Sequence, residues 1–169
     1  MSCVNSSDMA ALILRVALGV CIGLHGWNKA KSRQALAGTA GWFGSIGMRW
    51  PALQARMAAA TEVGVGVLLV LGLLVPTAAA GLVSTMLVAI VVAHRKNGFF
   101  IFNEGQGWEY CAVLGLSAMA LGALGGGRAS LDNALGVSYD SLWGLWTTLI
   151  LGVGAAVLHL AFSYRPRSS

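Results

Sequence analysis

The sequence is poor in charged residues, and this shortage decides its class. Asp, Glu, Lys and Arg make up 10% of the 169 residues, whereas soluble domains average about 25%. Because 57% of the residues are hydrophobic, a soluble fold could not cover its surface. A soluble globular domain is therefore excluded. The composition predicts an all-α integral membrane protein that forms one helical bundle in the lipid bilayer.

The sequence also lacks paired cysteines and cofactor motifs. Cys3, Cys21 and Cys111 form no Cys-x-x-Cys pair, and two of the three lie inside apolar segments. An enzyme that exchanges dithiols needs two neighbouring thiols, so we interpret the cysteines as small apolar residues of the bundle. The histidines form no axial pair within a span. We therefore predict no metal site and no intrinsic haem, flavin or iron–sulfur centre.

The net charge of +5 does not indicate a nucleic-acid partner. The basic residues lie mostly in connections between apolar segments, where the positive-inside rule explains them. On one side of the predicted membrane they are Lys29, Lys31, Arg33, Arg49, Arg56, Arg95, Lys96, Arg165 and Arg167. The other side has Arg128, with Arg15 nearby. This asymmetry predicts an N-terminus outside the cell, a cytoplasmic C-terminus and an odd number of spans.

Apolar runs predict five membrane-spanning helices. They cover about 9–30, 57–75, 77–93, 108–124 and 142–162. Pro76 and Thr77 are expected to form a very short turn between the second and third helices. In the first helix, Gly19 and Gly23 have the spacing that permits close approach of another helix backbone. No basic segment precedes this helix, so we expect it to be retained rather than cleaved as a signal peptide.

We divide the chain into two predicted parts. Residues 1–135 are predicted to form a four-helix transmembrane bundle. Within it, the segment 34–48 contains aromatic residues and is expected to lie in the membrane interface or to re-enter the membrane. Residues 136–169 are predicted to contain a loop, a fifth C-terminal transmembrane helix at about 142–162, and a basic tail.

The first predicted span carries Arg15, His25 and Lys29. A charge inside a span is costly, so such residues are usually paired and usually functional. At about 100° per residue, Arg15 and Lys29 project within about 40° of each other, and His25 projects about 80° from Arg15. The helix therefore presents a polar stripe, and each end of that stripe requires partners elsewhere in the chain.

Ionisable groups of four predicted helices converge at the end of the stripe that holds Lys29. Buried carboxylates beside Lys or His can balance charge, and they can also transfer protons near neutral pH. We predict three proton-transferring catalytic residues, Glu62, His94 and Glu109. The predicted ligand-binding residues are His25, Lys29, Trp27, Asn28 and Tyr110. The alternative is that these groups are helix-end anchors and structural ion pairs.

A second polar cluster is predicted at the other end of the stripe. Arg15 enters the first helix there, and Arg128 and Asp132 follow the fourth helix there. We predict an ion pair between Arg15 and Asp132. Its favoured interpretation is structural, as a clamp between the first helix and the loop after the fourth.

The order of these motifs resembles the DoxX family of small bacterial membrane proteins. The matching segments, which extend over roughly residues 12–135, are LRVALGVCIGLHGWNK, TEVGVGVLLVLGLLVPTAA, MLVAIVVAH, NGFF, WEY and GGGRASLD. The positions that carry over are Arg15, His25, Gly26, Lys29, Glu62, His94, Glu109, Arg128 and Asp132. The resemblance implies a four-helix bundle, from which the fifth predicted helix departs.

The resemblance implies a subunit of a membrane oxidoreductase system in the bacterial cell membrane, acting with protein partners in redox or oxidative-stress metabolism. Related proteins include subunits of a thiosulfate:quinone oxidoreductase, so we expect a quinone to bind at the polar cluster near Lys29. A noncatalytic anchor that recruits or stabilises partner proteins is the alternative. A transporter is less favoured, because no inverted repeat is found. The first two hypotheses differ in whether the polar residues enclose a cavity or merely pair across tight helix contacts.

Overall fold

A computed structural model describes residues 5–139 and 141–166 of the chain, and this part is predominantly helical. Its α-helices are α1 (Ser6–Ala30), α2 (Arg33–Ser45), α3 (Pro51–Leu71), α4 (Val75–Ala89), α5 (Glu109–Leu124), α6 (Leu131–Ala134) and α7 (Ser141–Ser163). A π turn (Ile90–His94) and a 3-10 turn (Arg95–Asn97) continue α4. No strand is found in the described ranges, where extended pairing is limited to one bridge between Met48 and Tyr164. The predicted all-α bundle is confirmed.

Four of the helices are long and apolar enough to cross a membrane. They are α1, α3, α4 with its two continuing turns, and α7. The remaining predicted span, α5, is apolar but has 16 residues. At 1.5 Å per residue it is about 24 Å long, which is less than the roughly 30 Å of a hydrocarbon core. The chain is a multi-pass membrane protein whose fourth predicted span is shorter than a full crossing.

The turn between α3 and α4 lies earlier in the chain than the sequence predicts. Helix α3 ends at Leu71, and Gly72 follows in the left-handed conformation with φ of +68°. The N–H of Leu73 then donates to Leu68 O at 2.9 Å, which closes the helix end. Pro76 lies in the first turn of α4 rather than in the connection. Proline is favoured there because the first N–H groups of a helix have no partner within it.

Helices α1 and α3 approach each other closely through glycine. A Cβ atom added at Gly66 of α3 would lie 2.7 Å from both Gly19 O and Gly23 Cα. Real side chains do not approach that closely, so the contact requires glycine. The predicted role of Gly19 and Gly23 in close backbone approach is confirmed, and it fixes which side of α1 faces α3.

Helix α7 packs lengthwise on α4 and also contacts α5. A Cβ atom at Gly152 would lie 2.9 Å from Val83 of α4, and the buried Thr148 hydroxyl donates to Pro76 O at 3.0 Å. The C-terminal helix is therefore a wall of the same bundle. Helix α2, which overlaps the segment 34–48, lies against α3 and has no buried residue. The division at residue 135 and the interfacial position of 34–48 stay predictions.

Candidate functional site

A large cavity lies at one end of the bundle. Helices α1, α4 and α7 end here while α3 and α5 begin here; we call this the basic end, because the Lys- and Arg-rich connections lie beyond it. The cavity has a volume of about 920 Å³, and side chains of α1 to α5 and of α7 line it. Most of its wall is apolar. Ligand sites in proteins have volumes of about 300–1,000 Å³ and the same character. The polar groups in the wall are therefore the candidates for ligand recognition.

An ion pair between Lys29 and Glu62 forms part of this wall. Lys29 Nζ lies 2.6 Å from Glu62 Oε2, and the two side chains are 22% and 7% exposed. The pairing follows from the close approach of α1 and α3, since a Cβ atom at Gly26 would lie 2.8 Å from Glu62 Cβ. One turn further along α1, the lysine side chain reaches the carboxylate. The structure thus joins one predicted ligand-binding residue to one predicted catalytic residue.

His25 and Tyr110 also line the cavity. Their ring centroids are 6.2 Å apart, and the Tyr110 hydroxyl lies 2.8 Å from Cys21 Sγ. Helix α5 brings Tyr110 to α1, whereas α3 brings Glu62 to α1, so the polar side chains of α1 contact two different helices. The aromatic rings give this part of the wall flat apolar surfaces with a hydroxyl group at their edge.

His94 lines the cavity from the π turn that continues α4. Its Nδ1 lies 2.9 Å from Gln106 O. A carbonyl oxygen can only accept, so Nδ1 carries the hydrogen and Nε2 of the neutral ring keeps the lone pair. The tautomer is therefore fixed by the backbone of the loop between α4 and α5. Single π turns within helices are frequent at functional sites.

Three predicted site residues do not line the cavity. Glu109 Oε2 accepts a hydrogen bond from the Ile101 N–H at 3.1 Å, so its carboxylate holds the loop between α4 and α5. Trp27 is 62% exposed, and Asn28 is exposed as well. At about 100° per residue, these two positions leave the stripe that Lys29 occupies. Their predicted ligand-binding roles, and the catalytic role of Glu109, stay predictions without a contact to the cavity.

A second set of polar side chains in the wall was not predicted from the sequence. His159 Nε2 of α7 lies 2.7 Å from Gln54 Oε1 of α3, and Gln54 Nε2 donates to Ser163 Oγ at 2.8 Å. All three residues line the cavity. An ionisable residue inside the predicted fifth span was the available signal for His159. Pro51 suits the first turn of the second helix, and α3 does begin there. Gln54 was missed because it precedes the predicted membrane span, which begins at about 57.

The opposite end of the bundle holds the buried Arg15 side chain, which is 1% exposed. Its guanidinium donates to Val70 O at 3.3 Å and to Ala129 O. Nε of the same group is buried without a partner among the described residues. Val70 lies in the last turn of α3, where the backbone carbonyl groups favour a cation. Arg15 thus connects α1, the end of α3 and the loop after α5.

Asp132, which is 2% exposed, also lies at this end and binds backbone. Its Oδ1 accepts from Leu74 N–H at 2.8 Å and its Oδ2 from Val75 N–H at 3.0 Å. Among the described residues no nitrogen of Arg15 lies within 4.0 Å of an Asp132 oxygen, although the two charges are near enough to interact electrostatically. Each charge instead lies at the helix end that favours its sign, the carboxylate at the start of α4. Burial, and then the Asp132 carboxylate, raise the pKa of Tyr139 in the following loop.

The loop that contains Arg128 is tied to the start of α1. The backbone N–H of Arg128 donates to Asp8 Oδ1 at 3.0 Å, while the same Asp8 side chain accepts from Asn5 N–H at 3.1 Å. The Asn5 side chain in turn accepts from Asp8 N–H at 2.8 Å, so the two residues cap the helix reciprocally. Asp8 therefore connects the start of α1 to the loop after α5 through backbone N–H groups of both segments, at a position that was not predicted from the sequence.

Comparison with known proteins adds one finding. The family model of DoxX matches residues 10–95, which is just over half of the chain. No curated protein and no solved structure gives a match. The matched range runs from α1 to the turns that continue α4, so it includes Arg15, Lys29, Glu62 and His94 but not His159. On the extent of this match, the chain belongs to the DoxX family.

Proposed function

We propose that this protein is the membrane subunit of an oxidoreductase system and that its cavity binds a quinone. The observation that carries the proposal is the cavity of about 920 Å³, whose wall is mostly apolar and is lined by ionisable groups of α1, α3, α5, α7 and the π turn that continues α4. A quinone is a flat apolar ring with two carbonyl oxygens and an apolar tail. Such a ligand requires apolar surface for the ring and hydrogen-bonding groups at its edges.

Two groups in the wall can supply protons. Reduction of a quinone to a quinol takes up two electrons and two protons, one proton on each carbonyl oxygen. Lys29 and Glu62 share one ion pair, from which a proton can reach a ligand oxygen. Nε2 of His94, whose tautomer the Gln106 carbonyl fixes, can carry the second as part of an imidazolium. We propose that the electrons come from a partner redox protein.

The test compares quinone content and quinone reduction in two variants. The protein is purified in mild detergent with its partners, and bound lipid and quinone are extracted. We expect near-stoichiometric quinone with the native chain. Glu62→Gln removes the ionisable oxygen and should lower quinone reduction by about 10²- to 10⁴-fold, the usual contribution of a proton-transferring group.

Glu104→Gln is the matched control for Glu62→Gln. Glu104 is an exposed carboxylate of the loop between α4 and α5 and does not line the cavity, so its variant should reduce quinone at the native rate. Full activity of Glu62→Gln in the purified complex would show that the ion pair takes no part in proton transfer.

A noncatalytic anchor is the second candidate function. It is favoured by α2, which has no buried residue and carries the half-exposed Trp42. Apolar surface on a connection near the membrane is suited to docking a partner protein. Absence of quinone above the membrane background, with partner proteins retained on the purified chain, would favour the anchor over the quinone site.

A further inference from the structure

We infer that His159, Gln54 and Ser163 form a hydrogen-bond chain whose direction can reverse, so that one cavity wall can bind both quinone and quinol. The inference rests on the proposed function, because it assigns the redox forms of the ligand that the same cavity accepts. It concerns α3 and α7. His159 and Ser163 lie outside the range that the DoxX family model matches.

The chain of hydrogen bonds runs from α7 to α3 and back to α7. His159 Nε2 and Gln54 Oε1 are 2.7 Å apart, and Gln54 Nε2 and Ser163 Oγ are 2.8 Å apart. Gln54 is 3% exposed and Ser163 is 5% exposed, so their bonds within the protein replace bonds to water. The end of α7 is fixed in turn, because Arg49 N–H donates to Ser163 O at 2.8 Å.

His159 ends this chain with a free ring nitrogen. Its Nε2 is occupied by Gln54, whereas Nδ1 has no partner among the described residues and is not enclosed by protein atoms. Because His159 lines the cavity, the ligand contact is assigned to Nδ1, the ring nitrogen that is left without a protein partner. What Nδ1 offers to the ligand depends on which nitrogen of the neutral ring carries the hydrogen.

Each direction of the chain fixes one tautomer. In the first direction Gln54 donates to Ser163, its carbonyl oxygen accepts from His159 Nε2–H, and Nδ1 carries a lone pair. In the second direction Ser163 donates to the amide oxygen, the amide N–H donates to Nε2, and Nδ1 carries the hydrogen. Rotating the amide by half a turn exchanges its oxygen and nitrogen, and the Ser163 hydroxyl turns toward the amide oxygen. The imidazole at the same time releases its Nε2 proton and takes up a proton on Nδ1 from the ligand or from water in the cavity, so the conversion leaves the net charge unchanged.

The two directions match the two redox forms of the proposed ligand. A quinol hydroxyl donates a hydrogen bond and requires the Nδ1 lone pair. A quinone carbonyl accepts one and requires the Nδ1–H. Both directions keep the two hydrogen bonds of this set, one at His159 Nε2 and one at Ser163 Oγ, and neither changes its net charge. The site therefore avoids the cost of burying a new charge when the redox form of its ligand changes.

The experiment measures which nitrogen of His159 carries the hydrogen. The full chain in detergent, labelled with ¹⁵N in its histidines, is studied by NMR with a short-chain alkyl benzoquinone and then with the reduced quinol. The His159→Asn spectrum identifies the signals of His159 among the three histidines. We expect Nδ1 to be protonated in the quinone complex and unprotonated in the quinol complex.

The same Nδ1 state in both complexes would overturn the inference while leaving quinone binding intact. Failure of both ligands to bind the native chain would instead overturn the proposed function, and the inference with it. The two failures are therefore distinguished by the binding isotherm recorded in the same samples.

Affinity measurements give a second, independent test. His159→Phe should weaken both ligands by about two- to tenfold, the loss expected for one neutral hydrogen bond. Thr147→Val on the same helix does not line the cavity and should leave both affinities unchanged. Equal affinities of His159→Phe and the native chain would contradict a ligand contact at Nδ1.

Ser163→Ala tests the direction of the hydrogen-bond chain without altering His159. An amide N–H left without a partner is less tolerated than a carbonyl oxygen, so the amide nitrogen should turn toward His159 and leave its oxygen unpaired. The variant should favour the quinone over the quinol by about two- to tenfold relative to the native chain. Ser163→Thr keeps the hydroxyl and should restore the native ratio. An unchanged ratio in Ser163→Ala would contradict the reversal.

Discussion

The two ends of this bundle hold similar charged residues and use them differently. At the opposite end, Arg15 and Asp132 are each at most 2% exposed and bind backbone groups at the ends of α3 and α4. At the basic end, Lys29 and Glu62 pair with each other in the wall of a cavity. The first arrangement leaves no room for a ligand beside the charges. In the second arrangement the charged side chains border a cavity that a ligand could occupy.

The difference lies in what the charged groups satisfy. Asp132 stabilises a strained turn between α3 and α4. Leu74 in this turn has a φ of +51°, a conformation that costs energy for a residue with a branched side chain. Removing this carboxylate therefore affects the backbone itself. Lys29 and Glu62 stabilise no such turn: apart from a hydrogen bond of 3.4 Å from Lys29 Nζ to His25 O within α1, they bind each other. Their loss should affect the ligand more than the fold.

The largest effect on stability is expected from Asp132→Ala. Two backbone N–H groups at the start of α4 lose a charged acceptor. Hydrogen bonds to charged groups contribute about 1.5–3 kcal/mol each, so we expect a loss of about 3 kcal/mol. Thermal unfolding in detergent should show a midpoint lowered by several degrees. Any protein that remains folded should bind quinone with native affinity.

Asp8→Ala provides the less buried counterpart of this change. Asp8 also accepts from backbone N–H groups, at the start of α1 and in the loop after α5, but its side chain is only partly buried. Its loss should cost about 1 kcal/mol, the usual value for a helix cap. Equal destabilisation by the two variants would remove the proposed distinction between a buried structural charge and a partly buried one.

A smaller effect on stability is expected from Lys29→Met. The ammonium is 22% exposed and its carboxylate partner borders a cavity that water can enter. We therefore expect a loss of about 1 kcal/mol, together with a clear loss of quinone reduction. Lys31→Met changes an exposed lysine two residues along the chain and should alter neither. Severe unfolding of Lys29→Met would show that this ion pair stabilises the fold as Asp132 does, and would contradict the proposed difference between the two ends.

The sequence predicts the bundle because membrane-spanning helices have a composition that no soluble helix shares. The partner of a charged residue is harder to predict. Arg15 and Lys29 lie on one stripe of α1, and the stripe is correct, but periodicity does not show whether a partner is a side chain or a backbone carbonyl. Asp132 matched Arg15 in sign and depth, yet the start of α4 binds it instead.

The sequence does not show whether the polar residues enclose a cavity or pair across tight helix contacts. The cavity wall depends on α7, which packs along α4 and brings His159 and Ser163 to Gln54. No pattern in one helix indicates which helix it will pack against, so residues far apart in sequence cannot be assigned to one wall. Gln54 lies in the first turns of the helix that Pro51 begins, ahead of the apolar run from 57, so hydropathy gives no sign that it faces the cavity.

The smallest effect is expected from Glu109→Gln. This variant compares two carboxylates at the basic end, Glu62 in the cavity wall and Glu109 outside it. Glu109 accepts from the Ile101 N–H at 3.1 Å and does not line the cavity. A glutamine oxygen can accept the same bond, so we expect a stability loss of about 0.5 kcal/mol and quinone reduction close to native. Steady-state rates measured beside Glu62→Gln provide the comparison. If Glu109→Gln lost activity to the same extent, proton transfer would extend from the cavity wall into the loop, and position at the cavity would no longer separate the two carboxylates.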